Sequence, residues 1–213
     1  MRKEHNGGSH SGFRIGAVIP AAGLSSRMGA FKPLLPCGEG TVIESTVRSV
    51  LPYASDVVVV LGYRADEVRQ ALSDRFDGRV RITLNPEYRM SDMLRSVQIG
   101  LSALSECDGF FLLPGDMPAV AGSTFSALIG AFDGSQKVLY PSFDGRKGHP
   151  PLIHGSLIQE ILRFDGGGGL RAALSRAPSK LIPLSDKGIT ADLDTPGDYA
   201  EMINILHPLD DRR

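Results

Sequence analysis

Residues 18–35 read VIPAAGLSSRMGAFKPLL: an apolar run gives way to small residues with Gly23 and Gly29, and Arg27 and Lys32 follow closely. This stretch has the makings of an anion site. Exposed backbone N–H groups in a loop of small residues let a phosphate approach closely, an arginine forks two of its oxygens, and a lysine adds a point charge. The glycine spacing fits neither the P-loop, which ends in Gly-Lys-Ser/Thr, nor the G-x-G-x-x-G dinucleotide fingerprint. A tight strand-to-helix turn carrying two solvated cations accounts for the same residues equally well.

A second group is acidic. Asp116 lies just beyond the apolar run of FFLLPGDMP, and ITADLDTPGD offers Asp192 and Asp194, which share a side if that run is extended. Two carboxylates from separate strand ends suit Mg²⁺, a hard ion that takes oxygen ligands and keeps waters and substrate phosphates in its shell. The competing reading makes Asp116 a turn cap and one of the other pair the cap of the last helix. A third stretch, FDGRKGHPP, groups Arg146, Lys147 and His149 in a basic loop between glycines. Loops on a rigid scaffold carry substrate choice, so this one is expected to face an acceptor.

These residues need a scaffold, and the pattern of the chain supplies one. FRIGAVIP, DVVVVLG, RVRITLN, GFFLLPGD and KVLYPS have the apolar character of buried strands. Helical patterns separate them. TVIESTVRSVL opens with a Thr41–Glu44 capping box, ADEVRQALSDRF and STFSALIGAF each present one apolar face, and TPGDYAEMINIL has Thr195 as cap and Pro196 at its first helical position. The run DGGGGL reads as a turn before a short helix. Strand and helix in alternation predict an α/β fold: a single Rossmann-like domain, three-layered and doubly wound on a mostly parallel sheet. In such sheets ligands collect beyond the carboxyl ends of the strands, where the loop and Asp116 both fall.

Composition narrows the function. With 213 residues the chain is long enough for one cored domain, expected over residues 13–207 between tails at 1–12 and 208–213. Its net charge of −1 gives no sign of a nucleic-acid patch or a membrane anchor. The only two cysteines, Cys37 and Cys107, are too far apart in sequence to suggest a zinc site or a disulfide framework, and no run is long and apolar enough for a membrane span. A cytoplasmic protein is expected.

Taken together, AAGLSSRMGAFK resembles the A-A-G-x-S-x-R-M-G-x-x-K signature of the MobA-like nucleotidyltransferases, and within them the molybdenum cofactor cytidylyltransferase branch. The resemblance continues in order through NPEYRMSDMLRSVQIGL, LLPGDMPAV, YPSFDGRKGHPPLI and DLDTPGDY. It implies that Ala21, Ala22 and Gly23 line the nucleotide, with Ser91 beside them, that Arg27 and Lys32 hold its phosphates, and that Asp116 and Asp194 bind Mg²⁺ or Mn²⁺. It also implies CTP as the donor, because cytidylyltransferases carry Ala-Ala-Gly where guanylyltransferases carry Ala-Gly-Gly. The acceptor implied is a phosphate-bearing small molecule such as molybdopterin, and the wider partner a molybdoenzyme or its maturation chaperone. Two segments depart from the pattern: Arg89 to Met93 stands for Gly-Met-Ser/Ala-Ser-Ser, and four glycines replace a tighter Gly-Asp-x-Gly. Both fall where acceptor or nucleotide should sit.

Nucleotidyl transfer of this kind needs no protein nucleophile, only alignment of two polyanions and relief of their repulsion. His149 is therefore read as a binding residue, since a phosphate nucleophile is already deprotonated near neutral pH. Three rivals stay open: a sugar-1-phosphate or methylerythritol-phosphate nucleotidyltransferase, a haloacid-dehalogenase-type phosphatase suggested by DLDTP, and a non-catalytic nucleotide sensor or maturation chaperone.

Overall fold

The computed structural model describes residues 12–25, 28–73, 75–76 and 78–206; Arg27 and the expected tails, apart from Gly12, lie outside them. The strands are β1 (Ile15–Ala21), β2 (Pro36–Cys37), β3 (Gly40–Thr41), β4 (Asp56–Leu61), β5 (Val80–Leu84), β6 (Gly109–Leu112), β7 (Val138–Phe143), β8 (Arg146–Lys147), β9 (Leu152–His154) and β10 (Ser179–Pro183). The helices are α1 (Val42–Val50), α2 (Ala65–Ser73), α3 (Met93–Ala103), α4 (Gly122–Gly130), α5 (Ile158–Arg163), α6 (Gly169–Ala173) and α7 (Pro196–Leu206).

One sheet runs β10-β7-β9-β6-β1-β4-β5. Strands β6, β1, β4 and β5 pair in parallel, as do β7 and β10, while β9 runs antiparallel between β6 and β7. β8 returns on β7 through Asp144 and Gly145, both at positive φ, as an Asp-Gly two-residue hairpin requires. The small β2–β3 ribbon stands apart.

Alternation along the strands gives the sheet two apolar faces. Ile15, Ala17 and Ile19 of β1 join α1, α2 and α4 on one side, and Val18 joins α3 and α5 on the other. The doubly wound three-layer expectation thus matches the structure. The Thr41–Glu44 capping box is present in both directions, fixing where α1 starts. Phe111 is fully buried in the first layer, edge-on to Phe125 at a centroid distance of 5.2 Å. Phe111→Ala is expected to cost about 3–5 kcal/mol, read as a lower denaturant midpoint at unchanged slope.

Helix α3 was not among the helices expected from pattern. Gly100 sits inside it, which lowers helix propensity, but a Cβ at that position would lie 2.4 Å from Val18 Cγ1. Close packing on β1 explains the glycine, and it brings the start of α3 beside the carboxyl end of that strand.

Candidate active site

Beyond β1 the chain is tied to the end of β4: Tyr63 N–H donates to the Ala22 carbonyl at 3.3 Å. Gly62 makes this approach possible, because an added Cβ would fall 2.6 Å from Tyr88 Cβ and 2.7 Å from the Ala22 oxygen. Ser25, at φ 55°, turns the loop, and its Oγ accepts the Lys32 backbone N–H at 3.2 Å. Lys32 then opens a single 3-10 turn, Lys32–Leu34, and its side chain runs back into the cleft with 11% of its surface exposed.

Two carboxylates meet it there. Lys32 Nζ lies 3.2 Å from Asp116 Oδ2 and 2.8 Å from Asp194 Oδ1. Asp116 is carried by the extension of β6, where Leu113 N–H bonds the Val18 carbonyl and Gly115 N–H bonds the Pro20 carbonyl. Asp194 is set by the start of α7. Asp198 Oδ2 accepts the N–H groups of Asp194 at 3.1 Å and Thr195 at 2.7 Å, while Thr195 Oγ1 accepts from Asp198 N–H. Thr195 is the cap, so neither Asp192 nor Asp194 is spent on that task.

The charges shift one another. Burial works against the Lys32 ammonium, but its hydrogen bond to Asp194 and the charge of Asp116 outweigh it and raise its pKa above the ordinary lysine value. At Asp116 burial is the larger effect, raising the carboxyl above its usual range against the pull of Lys32. An ion pair alone would have lowered Asp116, so the two partners do not move as a simple pair. The ammonium is shared by two carboxylates, one of them 42% exposed.

The donor set suits a hard divalent ion. Two carboxylate oxygens from separate segments converge on one point, with no thiolate or imidazole in the pair, and Mg²⁺ commonly takes only one or two carboxylates. Among the described residues no cluster of three or more His, Cys, Asp or Glu side chains forms a closed cage.

A cavity of about 160 Å³ borders this pair, lined by Ala21, Gly23, Ser25, Lys32, Met93 and Asp116 among others. A second, about 150 Å³, is lined by Ala22, Asn85, Tyr88, Ser91 and Ser96, and shares Pro20, Gly23 and Met93 with the first. The fold thus brings Ala21, Ala22, Gly23, Ser91, Lys32 and Asp116 to one cleft with two halves, at the strand ends where ligands gather, and Asp194 joins them through Lys32 while lining a neighbouring cavity of about 270 Å³ with Asp192 and Asp198.

A model of the MobA-like NTP transferase domain matches residues 17–181. The chain belongs to this family. It is 31% identical to the molybdenum cofactor cytidylyltransferase of Escherichia coli (strain K12) over 188 residues, which cover 87% of this chain and 93% of that one. It is 25% identical to a probable molybdenum cofactor guanylyltransferase of Bacillus thuringiensis over 66% of each chain. Among solved structures, a nucleotidyl transferase from Methanothermobacter thermautotroptrophicus superposes with a TM-score of 0.79 at 26% identity, covering 92% of this chain and 99% of that one. The chain is a nucleotidyltransferase.

Within this MobA-like enzyme the basic loop is split. Arg146 and Lys147 stand exposed on β8, with Lys147 Nζ 4.3 Å from the centre of the Tyr140 ring, and neither lines either half of the cleft. His149 instead turns inward. Its backbone N–H donates to the Ile189 carbonyl at 2.8 Å, and its ring Nδ1 is buried without a partner. Burial lowers its pKa, against the charges of Asp192 and Asp116, so the neutral ring is favoured near pH 7. Asn85 was not singled out from the sequence. It is 1% exposed and donates from Nδ2 to Ser91 Oγ and Ser96 Oγ, both at 3.0 Å, while its Oδ1 accepts Glu87 N–H at 3.0 Å. Its place directly after β5, at a strand's carboxyl end, was the available signal. Among the described residues no helix is long and apolar enough to cross a membrane.

Proposed function

We propose that the enzyme transfers CMP from CTP to a phosphate monoester on an acceptor of the molybdopterin class, in the cytoplasm. An acceptor phosphate oxygen attacks the α-phosphorus, the bond to the bridging oxygen of the β-phosphate breaks, and that oxygen keeps the electron pair as pyrophosphate leaves. The observation that carries this reading is the convergence of Lys32, Asp116 and Asp194 beside a two-part cleft in a chain related to a cytidylyltransferase over most of its length.

Asp116 and Asp194 are the residues to hold Mg²⁺, or Mn²⁺ in its place, and that ion supplies charge neutralisation for the phosphates when bound. Lys32 and Arg27 take the triphosphate oxygens, the lysine as a point charge and the arginine as a fork. Ala22, Gly23 and Ser91 form the nucleoside half of the cleft, and Ala21 meets the nucleotide from the adjoining half that it shares with Lys32. His149 presents a neutral ring towards the acceptor side, with Arg146 and Lys147 on the hairpin steering an anionic acceptor inward.

Incubation with each of the four NTPs, Mg²⁺ and a panel of phosphate-bearing acceptors, scored by pyrophosphate release, tests the reading. CTP is expected to have the highest kcat/KM. The Ala22 methyl is buried and lines the second cavity, where it takes room a purine needs. Ala22→Gly is expected to shift the CTP/GTP ratio of kcat/KM towards GTP by about tenfold, the scale on which one methyl group discriminates in a pocket. An unchanged ratio removes Ala22 from base selection, and a wild-type preference for GTP overturns the cytidylyl assignment.

A further inference from the structure

We infer that Lys32 is a built-in stand-in for the metal ion: in the substrate-free cleft its ammonium holds the place between Asp116 and Asp194, and nucleotide binding opens that place by drawing the ammonium away. This rests on the proposed metal role of the two carboxylates. The geometry carries the rest.

The Nζ sits 3.2 Å from one carboxylate and 2.8 Å from the other, so it lies on the oxygens a divalent ion would need. A +1 and a +2 charge on the same two oxygens repel, so the ion and the ammonium compete for that place. Two carboxylates facing one another without any cation repel, which is the state the lysine prevents before substrate arrives. The base of the side chain is fixed, by the bond of its backbone N–H to Ser25 Oγ and by Pro33 in the same turn. Its four-carbon stem carries the rotatable bonds that a swing of the ammonium from carboxylate to phosphate requires. The cavity of about 160 Å³ that Lys32 shares with Gly23 and Ser25 lies alongside, on the side of the proposed phosphate loop. An anionic triphosphate there gives the ammonium a second partner. Each ligand then favours the other: nucleotide vacates the carboxylates for the metal, and metal on the carboxylates frees the lysine for phosphate, a coupling that must be reciprocal.

The test is Mn²⁺ binding to the full chain without nucleotide, followed by the electron paramagnetic resonance signal of free Mn²⁺. Wild type is expected to bind weakly, Lys32→Met about tenfold more tightly, within the usual range of such couplings, and Lys32→Arg as weakly as wild type. Adding Asp116→Asn to Lys32→Met should abolish the gain. If Lys32→Met binds no better than wild type while Asp116→Asn still weakens binding, the stand-in role is wrong and the metal pair survives. Tight binding that persists through Asp116→Asn, or no uptake by any of these proteins, overturns the metal pair itself. Should Lys32→Met fail to fold, Lys32→Gln, which keeps polarity and removes charge, takes its place with the same expectations.

Discussion

Asp116→Ala and Asp194→Ala are each expected to lower kcat by about 10³-fold, at the upper end of what loss of one preorganised charged group costs. The expectation follows from their convergence on one cation, at 3.2 and 2.8 Å from Lys32 Nζ, since loss of either removes half of the carboxylate ligands proposed for the ion. The two variants should differ in stability. Asp116 side-chain exposure is 25% against 42% for Asp194, so removing Asp116 leaves the ammonium less well compensated in the more buried half of the contact. A lower thermal midpoint is expected for Asp116→Ala and little change for Asp194→Ala. Pyrophosphate release at saturating CTP, with and without a chelator, checks the catalytic part. Wild-type kcat in either variant, or full activity in chelator, would remove the metal from the mechanism.

Lys32→Ala is expected to reduce kcat by about 10²-fold and to weaken CTP binding far less. The reason is where charge changes. On the proposed reading the loop's backbone N–H groups share the ground-state phosphate charge with the ammonium, so the lysine counts most against the further charge that builds on the leaving pyrophosphate. Steady-state kinetics beside calorimetric CTP binding separates the two contributions. If only KM rises, Lys32 binds substrate and transition state equally and its catalytic role is wrong. The same variant leaves Asp116 and Asp194 facing each other without the ammonium. Its thermal midpoint should therefore rise with added Mg²⁺ more steeply than that of wild type, since the ion binds only the folded pair.

What the sequence determined is local. The Thr41–Glu44 box fixed the start of α1 because both hydrogen bonds join residues three apart, and Thr195–Asp198 does the same for α7. Apolar runs marked β1, β4, β6 and β7, since strands covered by helices on both faces have little polar side to show, whereas β5, at the sheet edge, leaves Arg81 and Leu84 exposed. The short β9 and β10 and the antiparallel entry of β9 gave no such signal; pairing partners set them. Helix α3 was hidden by Gly100, whose cost in propensity is offset by contact with Val18, a residue 82 positions away in the chain. At the site, strand-end position singled out Asp116, but spacing left Asp192 and Asp194 equivalent, and the turn held by Asp198 decided which of them meets Lys32. That the lysine lies on two carboxylates, 84 and 162 residues distant, is a long-range fact. Charges so far apart in sequence acquire a fixed distance only when the sheet brings the ends of β1 and β6 together and α7 closes over them, so their pairing belongs to the tertiary structure alone.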